Sequence, residues 1–76
     1  MPAKKSAAIR ALGEAIRTVR REQGHGQEGF ARRVGLDRSY YGAVERGEFN
    51  ITIGTLLKIA AGLGVRASTL LRRAQL

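Results

Sequence analysis

Apolar residues recur at helical spacing along most of the chain. Between residues 6 and 23 they are three or four positions apart, with arginines and glutamates between them: Ile9, Leu12, Ile16 and Val19. This period is typical of an amphipathic helix. We interpret the four aliphatic side chains as core, because the later segments need a partner face to bury against. Gly24 follows the segment, and glycine is common where a helix ends.

Three later segments begin and end with the same local signals. Asp37 and Thr52 are good N-cap residues, and each has an apolar residue directly before it and another four positions after it. That spacing is typical of a hydrophobic staple at the start of a helix. Gly26 is a weaker cap in a similar setting. Glycines that suit helix ends follow three of the periodic stretches: Gly35, Gly47 and Gly64.

These signals predict five helices, over residues 6–23, 27–34, 38–46, 53–63 and 67–74. No alternating apolar pattern of useful length occurs, so no sheet is expected. The predicted fold is all-α, with one small domain over residues 6–76 and a flexible tail over residues 1–5. A core of this size supplies only about 3–5 kcal/mol of stability unaided.

The third predicted helix has two unlike faces when its residues are placed at about 100° per residue. Tyr41 and Val44 fall on one side, which we assign to the core. The opposite side carries small or polar residues: Ser39, Gly42, Ala43 and Arg46. A nearly bare face of this kind lets the helix backbone approach another surface closely. An indifferent solvent-facing surface is the plainer alternative.

The net charge of +8 favours a polyanionic partner, such as nucleic acid or an anionic membrane face. Eleven of the fourteen basic residues are arginine, however, and a GC-rich genome produces that bias without selection for binding. Charge alone therefore does not establish that the protein binds a polyanion. Membrane binding is disfavoured because the basic residues are not gathered opposite one broad apolar face.

Several other classes of function and location are disfavoured by composition. The absence of cysteine excludes disulfides and thiolate metal sites. No signal peptide or apolar run of about 20 residues is visible, so we expect a cytoplasmic protein. An enzyme is disfavoured because the single aspartate, Asp37, acts as a cap and the single histidine, His25, has no evident catalytic partner. We expect no cofactor and no metal, and we interpret His25 as partly buried packing.

Four stretches between about residues 12 and 65 resemble a known family: LGEAIRTVRREQG, QEGFARRVGL, SYYGAVERG and TIGTLLKIAAGLGV. They are similar to the helix-turn-helix DNA-binding domains of the phage-repressor and Cro type. The residues that stand at the family's separations are Gln27, Ala31, Gly35, Leu36, Tyr41, Val44, Glu45 and Gly47. The stretch LDRSYYGAVERGEFNIT looks most like the controller proteins that time restriction–modification operons. The resemblance implies a five-helix lambda-repressor-like domain with the helix-turn-helix at helices 2 and 3.

The resemblance also implies roles for individual residues. Contacts with base edges in the major groove are expected from Arg38, Ser39 and Ala43. Contacts with the DNA backbone are expected from Gln27, Tyr40, Arg46 and Asn50. Arg38 is the best candidate for reading sequence, since a guanidinium can bond guanine in a bidentate fashion. An ordinary solvated arginine is the alternative for that residue. A structural ion pair between Arg20 and Glu45 is expected to fix the first helix against the third.

The C-terminal third carries more apolar residues than one small core needs. Spacing assigns four of them to the core: Leu56, Ile59, Leu63 and Leu70. Leu57 and Leu71 are then left over, and similar proteins dimerise through this end of the fold. We therefore expect a homodimer that binds double-stranded DNA at a pseudo-palindromic operator and regulates transcription. The alternative is a DNA-binding antitoxin whose main partner is a toxin protein.

Overall fold

The computed structural model describes residues 6–76, so the predicted flexible tail over residues 1–5 lies outside the described residues. Within this range the chain forms five helices and no strand. They are α1 (Ala7–Glu22), α2 (Gln27–Arg33), α3 (Arg38–Glu45), α4 (Ile53–Leu63) and α5 (Ala67–Arg73). Each of the five predicted helices is confirmed to within one residue at either end. The predicted all-α class is therefore confirmed.

Local chemistry sets the helix boundaries as predicted. The Asp37 side chain accepts a hydrogen bond from the backbone N–H of Tyr40 at 3.1 Å. The Thr52 hydroxyl accepts one from the backbone N–H of Thr55 at 3.0 Å. These side chains satisfy donors that the first helical turn leaves without a partner. At the other ends the chain turns through left-handed glycines with φ near +70°: Gly35, Gly47 and Gly64.

The core lies where the apolar faces of the five helices meet. Its largest fully buried side chains are Tyr41, Phe30, Ile16, Ile59 and Leu70. The rings of Phe30 and Tyr41 pack with their centroids 5.4 Å apart, which joins α2 to α3. All four residues of α4 and α5 that spacing assigns to the core are buried. In α1 the expectation is only partly met, because Ile9 and Leu12 near its start are partly exposed.

Packing between the helices determines which helix faces are exposed to solvent. Helix α3 packs against both α1 and α2, while α5 packs against α1 and α4. Two sides of α3 are therefore covered, and only a narrow strip of it faces outward. Among residues 6–76, no single helix has the length and apolar character of a membrane span. Helices α4 and α5 reach that length and composition only when counted together across a 95° bend.

Gly13 marks the closest approach between α1 and α3. A Cβ atom at this position would lie 2.5 Å from the carbonyl oxygen of Val44 and 2.7 Å from that of Glu45. Any side chain larger than glycine would therefore collide with the backbone at the end of α3. The absence of a side chain at Gly13 brings α1 against the end of α3, next to Glu45.

Candidate nucleic-acid interface

A buried ion pair joins α1 to α3. Arg20 Nε lies 2.7 Å from Glu45 Oε2, and Arg20 Nη2 donates to Glu45 Oε1 at 3.0 Å. The two side chains are only 8% and 1% exposed. Arg20 Nη1 also donates to the backbone carbonyl of His25 at 2.7 Å, in the turn before α2. The structure thus contains the pair that the resemblance implies, and it shows an additional contact with that turn.

The same carboxylate also positions Gln27 at the start of α2. Gln27 Nε2 donates to Glu45 Oε1 at 3.0 Å. The amide oxygen of Gln27 lies over Gly42, only 3.3 Å from where a Cβ of that residue would stand. One carboxylate therefore links α1, α2 and α3, and it holds the Gln27 side chain across the surface of α3.

Hydrogen bonding keeps this buried carboxyl group ionised. Burial on its own raises the pKa of Glu45, but the hydrogen bonds from Arg20 and Gln27 outweigh burial and hold the pKa below its ordinary value. The bond to Glu45 in turn raises the pKa of Arg20. Burial raises the pKa of the neighbouring Tyr41 hydroxyl far above its usual range. The Tyr41 hydroxyl makes no hydrogen bond of acceptable geometry among residues 6–76, but it lies close enough to the ion pair to help lower the pKa of Glu45.

Several predicted DNA-contacting residues meet in a shallow cleft on the outer strip of α3. The cleft has a volume of about 200 Å³ and is lined by Gln27, Arg38, Ser39, Gly42 and Arg46. Arg38 and Ser39 are the first two residues of α3, and both are exposed. The cleft therefore combines two guanidinium groups, a hydroxyl and an amide along the outer strip of α3, with Arg38 and Ser39 at the start of that helix and Arg46 at its end. We call it the α3 cleft.

The expectation of a fully open face on α3 is wrong for two residues. Ala43 is only 5% exposed, and Gly42 is also buried. The reason is that α1 and α2 cover two sides of α3, and that Gln27 and Arg46 lie over Gly42. Their small size therefore serves packing within the protein. Burial of Ala43 leaves its methyl group little surface for the predicted base contact.

The predicted backbone-contacting residues beyond Gln27 occupy different settings. Tyr40 is partly buried, and its ring packs beside that of Phe49 with centroids 5.4 Å apart. Arg46 is exposed, and its Nε donates to Glu48 Oε2 at 2.8 Å. That hydrogen bond raises the pKa of Arg46. Asn50 is exposed, but it lines an apolar groove elsewhere and the structure does not bring it into the α3 cleft.

A second cleft adjoins the first and contains two arginines that are not among the residues predicted from sequence. It has a volume of about 430 Å³, and α1 contributes Arg10, Glu14 and Arg17 to its lining. Gln27 and Arg46 line both clefts. The spacing of positions 10, 14 and 17 places these residues on one face of α1 and is the signal by which sequence reasoning could find them. We call this the α1 cleft.

The structure has exposed apolar side chains outside the core, as predicted, but they are not all the residues that spacing indicates. Leu57 is 53% exposed on α4, as expected of a residue outside the core. Leu71, however, is partly buried and packs against the core cluster, because α5 turns it towards the other helices. Ile53 is 71% exposed, and Phe49 in the preceding loop is also exposed. We define the apolar patch as Phe49, Ile53 and Leu57.

His25 has the packing role expected from sequence. Its ring is partly buried and lies against that of Phe30, with centroids 5.6 Å apart. Its carbonyl accepts the hydrogen bond from Arg20. Residues 6–76 contain no group of three or more histidine, aspartate or glutamate side chains placed to hold a metal ion.

A short two-helix unit, with α2 leading through a glycine turn into α3, is the arrangement of a helix-turn-helix. A family model described as helix-turn-helix matches residues 16–70. The chain belongs to the helix-turn-helix family. The family and the fold predicted from the sequence resemblance are therefore confirmed.

Restriction–modification controller proteins are prominent among similar helix-turn-helix proteins. Control protein C.MunI of a Mycoplasma species is 41% identical over 60 residues, which cover 78% of this chain and 81% of that protein. The crystal structure of the controller protein C.AhdI from Aeromonas hydrophila superimposes with a TM-score of 0.82 at 38% identity. That match covers 86% of this chain and 98% of the other.

A third relative has been solved as a tetramer with its natural 35-base-pair operator. This controller protein, C.Esp1396I, superimposes with a TM-score of 0.80 at 31% identity. The match covers 93% of this chain and 99% of that one. These relatives are regulators of the controller type, and none of the three is named as an enzyme.

The ion pair generates a prediction about pH. Glu45→Gln leaves the buried Arg20 without a counter-charge, so the free energy of unfolding at neutral pH should fall by about 3 kcal/mol. Because the folded pKa of Glu45 lies below its ordinary value of 4.5, its stabilising effect is complete above that value and is lost as the pH falls through the folded pKa. The difference between wild type and variant should therefore shrink in acid. Urea unfolding across a pH series measures it.

The exposed pair of Glu28 and Arg32, 3.6 Å apart, provides the matched control. Glu28→Gln should change the free energy of unfolding by less than about 0.5 kcal/mol, because exposed pairs contribute little. A Glu45→Gln effect that stayed constant down to the acid limit would contradict the assignment of an ionised Glu45.

Proposed function

We propose that the protein is a sequence-specific regulator of transcription that binds double-stranded DNA as a homodimer at a pseudo-palindromic operator. The observation that carries the proposal is the α3 cleft, where Arg38, Ser39, Gln27 and Arg46 come together on a helix-turn-helix. In this motif the second helix lies in the major groove, with its N-terminal residues at the base edges. Here α3 takes that place.

Arg38 is the residue best placed to read a base. It is exposed at the first position of α3 and forms no ion pair within residues 6–76. Its guanidinium can therefore donate two hydrogen bonds to the O6 and N7 atoms of guanine. Ser39, beside it, offers a hydroxyl that can donate or accept. These two side chains supply the sequence reading in our proposal.

Gln27 and Arg46 supply contacts that position the protein on the DNA backbone. The Gln27 amide has two N–H donors, of which one binds Glu45. The second donor can bind a phosphate oxygen while Glu45 holds the side chain in place. Arg46 donates to Glu48 through Nε and Nη2, while its Nη1 lies over Gly42 in the α3 cleft and can donate to a phosphate oxygen. Tyr40 and Asn50 remain further candidates for backbone contacts.

A homodimer is proposed because one reading helix contacts too few base pairs to select an operator. The apolar patch includes Ile53 and Leu57 on α4, exposed to a degree that favours burial against another surface. Pairing α4 and α5 of two copies about a two-fold axis would bury Leu57 and the exposed edge of Leu71. To read two half-sites one turn of duplex DNA apart, such a pairing must set the two α3 helices about 34 Å apart.

The DNA-binding antitoxin has less support than the regulator. The relatives are restriction–modification control proteins, and one of them is described in complex with operator DNA. A regulator of that kind acts where the genome lies, so we propose the cytoplasm as the compartment. No small-molecule ligand or cofactor is needed for the proposed activity.

The proposal predicts distinct effects for two arginines of the α3 cleft. Arg38→Ala should weaken the free energy of DNA binding by about 1–3 kcal/mol through one base pair of each half-site, and it should relax the base preference at that position. Arg46→Ala should weaken binding to all sequences about equally, because a phosphate carries no sequence information. Selection from random duplex DNA, followed by sequencing of the bound pool, measures both. The wild-type protein should select two related half-sites, and an Arg38→Ala variant that selects the unchanged motif would refute our placement of α3.

The dimer generates a prediction about assembly. Leu57→Glu places a carboxylate at the proposed two-fold axis, so the protein should become a folded monomer with greatly weakened operator binding. Lys58→Glu is the matched control, because Lys58 is the exposed neighbour on the same helix. Sedimentation gives the assembly state, and circular dichroism confirms folding. A Leu57→Glu protein that remains a dimer of unchanged stability would move the interface elsewhere.

A further inference from the structure

The α1 cleft gathers cations from separate parts of the chain. Helix α1 supplies Arg10 and Arg17, and the residue that follows α3 supplies Arg46. Because Gln27 and Arg46 also line the α3 cleft, the two clefts form one continuous surface. A duplex seated on the α3 cleft therefore has α1 beside it.

Some charged side chains of the α1 cleft are paired within the protein and others are not. Glu45 is held by Arg20 and Gln27, while Arg46 pairs with Glu48. Arg17, by contrast, is exposed and forms no hydrogen bond or ion pair within residues 6–76. Its guanidinium donors are thus available to an outside anion. Glu14 also lines the cleft, and its negative charge weakens the positive field there. It forms no ion pair with Arg17 within residues 6–76, so the N–H groups of Arg17 remain available.

We propose that Arg17 binds a backbone phosphate of the duplex, so that the DNA-binding surface extends from α3 onto α1. This inference rests on the proposed function. A guanidinium matches the geometry of a phosphate and can bind two of its oxygens. A phosphate in the α1 cleft would lie between Arg17 on α1 and the rim formed by Gln27 and Arg46. The chemistry is independent of base sequence, so Arg17 contributes affinity and positioning rather than reading.

This geometry gives α1 a direct role in orientation. The Arg20–Glu45 pair fixes α1 against α3. A phosphate held by Arg17 is therefore held at a set distance from the reading residues of α3. Contacts on two helices that are joined by a buried ion pair restrict the tilt of α3 in the groove.

The test compares Arg17→Ala, Arg17→Lys and Arg33→Ala with the wild-type protein. Arg33 is the matched control, since it is an exposed arginine at the end of α2, outside the proposed dimer interface, and it lines neither cleft. Two duplexes of equal length serve as probes, one carrying the motif selected by the wild-type protein and one of random sequence. Binding is measured over a salt series, and circular dichroism establishes that each variant is folded.

The slope of log affinity against log salt is negative, and Arg17→Ala should make it shallower by about 1 for each protomer. Affinity should fall by the same factor on both duplexes, with the selected motif unchanged. Arg17→Lys should restore most of the slope because it keeps the charge, and Arg33→Ala should resemble wild type. If Arg17→Ala and Arg33→Ala gave the same slope, the inference would be overturned while the reading role of α3 stood. If wild type bound neither duplex, the proposed function itself would fail.

Discussion

The buried carboxylate of Glu45 is the point on which the arrangement of the first three helices depends. Burying an ionised pair costs several kcal/mol per ion, and the cost is recovered only when hydrogen bonds satisfy both partners. Here Arg20 binds both carboxylate oxygens, Gln27 binds one of them, and Arg20 also reaches the carbonyl of His25. Such a pair adds little net stability. Its importance is that its hydrogen bonds connect α1, the turn before α2, α2 itself and α3 to one another.

The arrangement of these three helices determines the shape of the outer surface. Because α3 lies against α1 and α2, it exposes only a narrow strip, which begins with Arg38 and Ser39. Gln27 lies across the strip because Glu45 holds it there. The same contact brings α1 beside α3, and this proximity makes Arg17 part of a continuous surface. One interaction therefore links the core to the residues that we propose for reading bases and for binding phosphates.

Much of the fold is predictable because its signals are local. Asp37 and Thr52 cap helices through side chains three residues from their partners, and glycines at the helix ends adopt left-handed conformations. The Arg20–Glu45 pair spans 25 positions and leaves no periodic trace. It could be expected only from the resemblance to a family. The candidate site was predictable to the same extent, since its residues stand at the family's positions.

The failures within the core arise because a helical wheel accounts for a single packing partner. Helix α3 has two partners, so Gly42 and Ala43 are buried although they lie opposite Tyr41. Spacing places Leu71 outside the core, yet the side chain is partly buried against the core cluster. The role of Arg17 does not follow from the sequence pattern, because the period of α1 indicates only its core face. Its importance depends on Gln27, which reaches the same cleft from another helix.

The most direct test of the proposed reading surface is the affinity of the wild-type protein for its selected duplex and for a scrambled duplex across a salt series. A dimer that neutralises about six phosphates should show a slope of about −5 in log affinity against log salt. The selected duplex should bind at least about 10³-fold more tightly than the scrambled one at physiological salt. A flat response to salt would remove DNA as the partner, and equal affinities for the two duplexes would contradict sequence reading by α3.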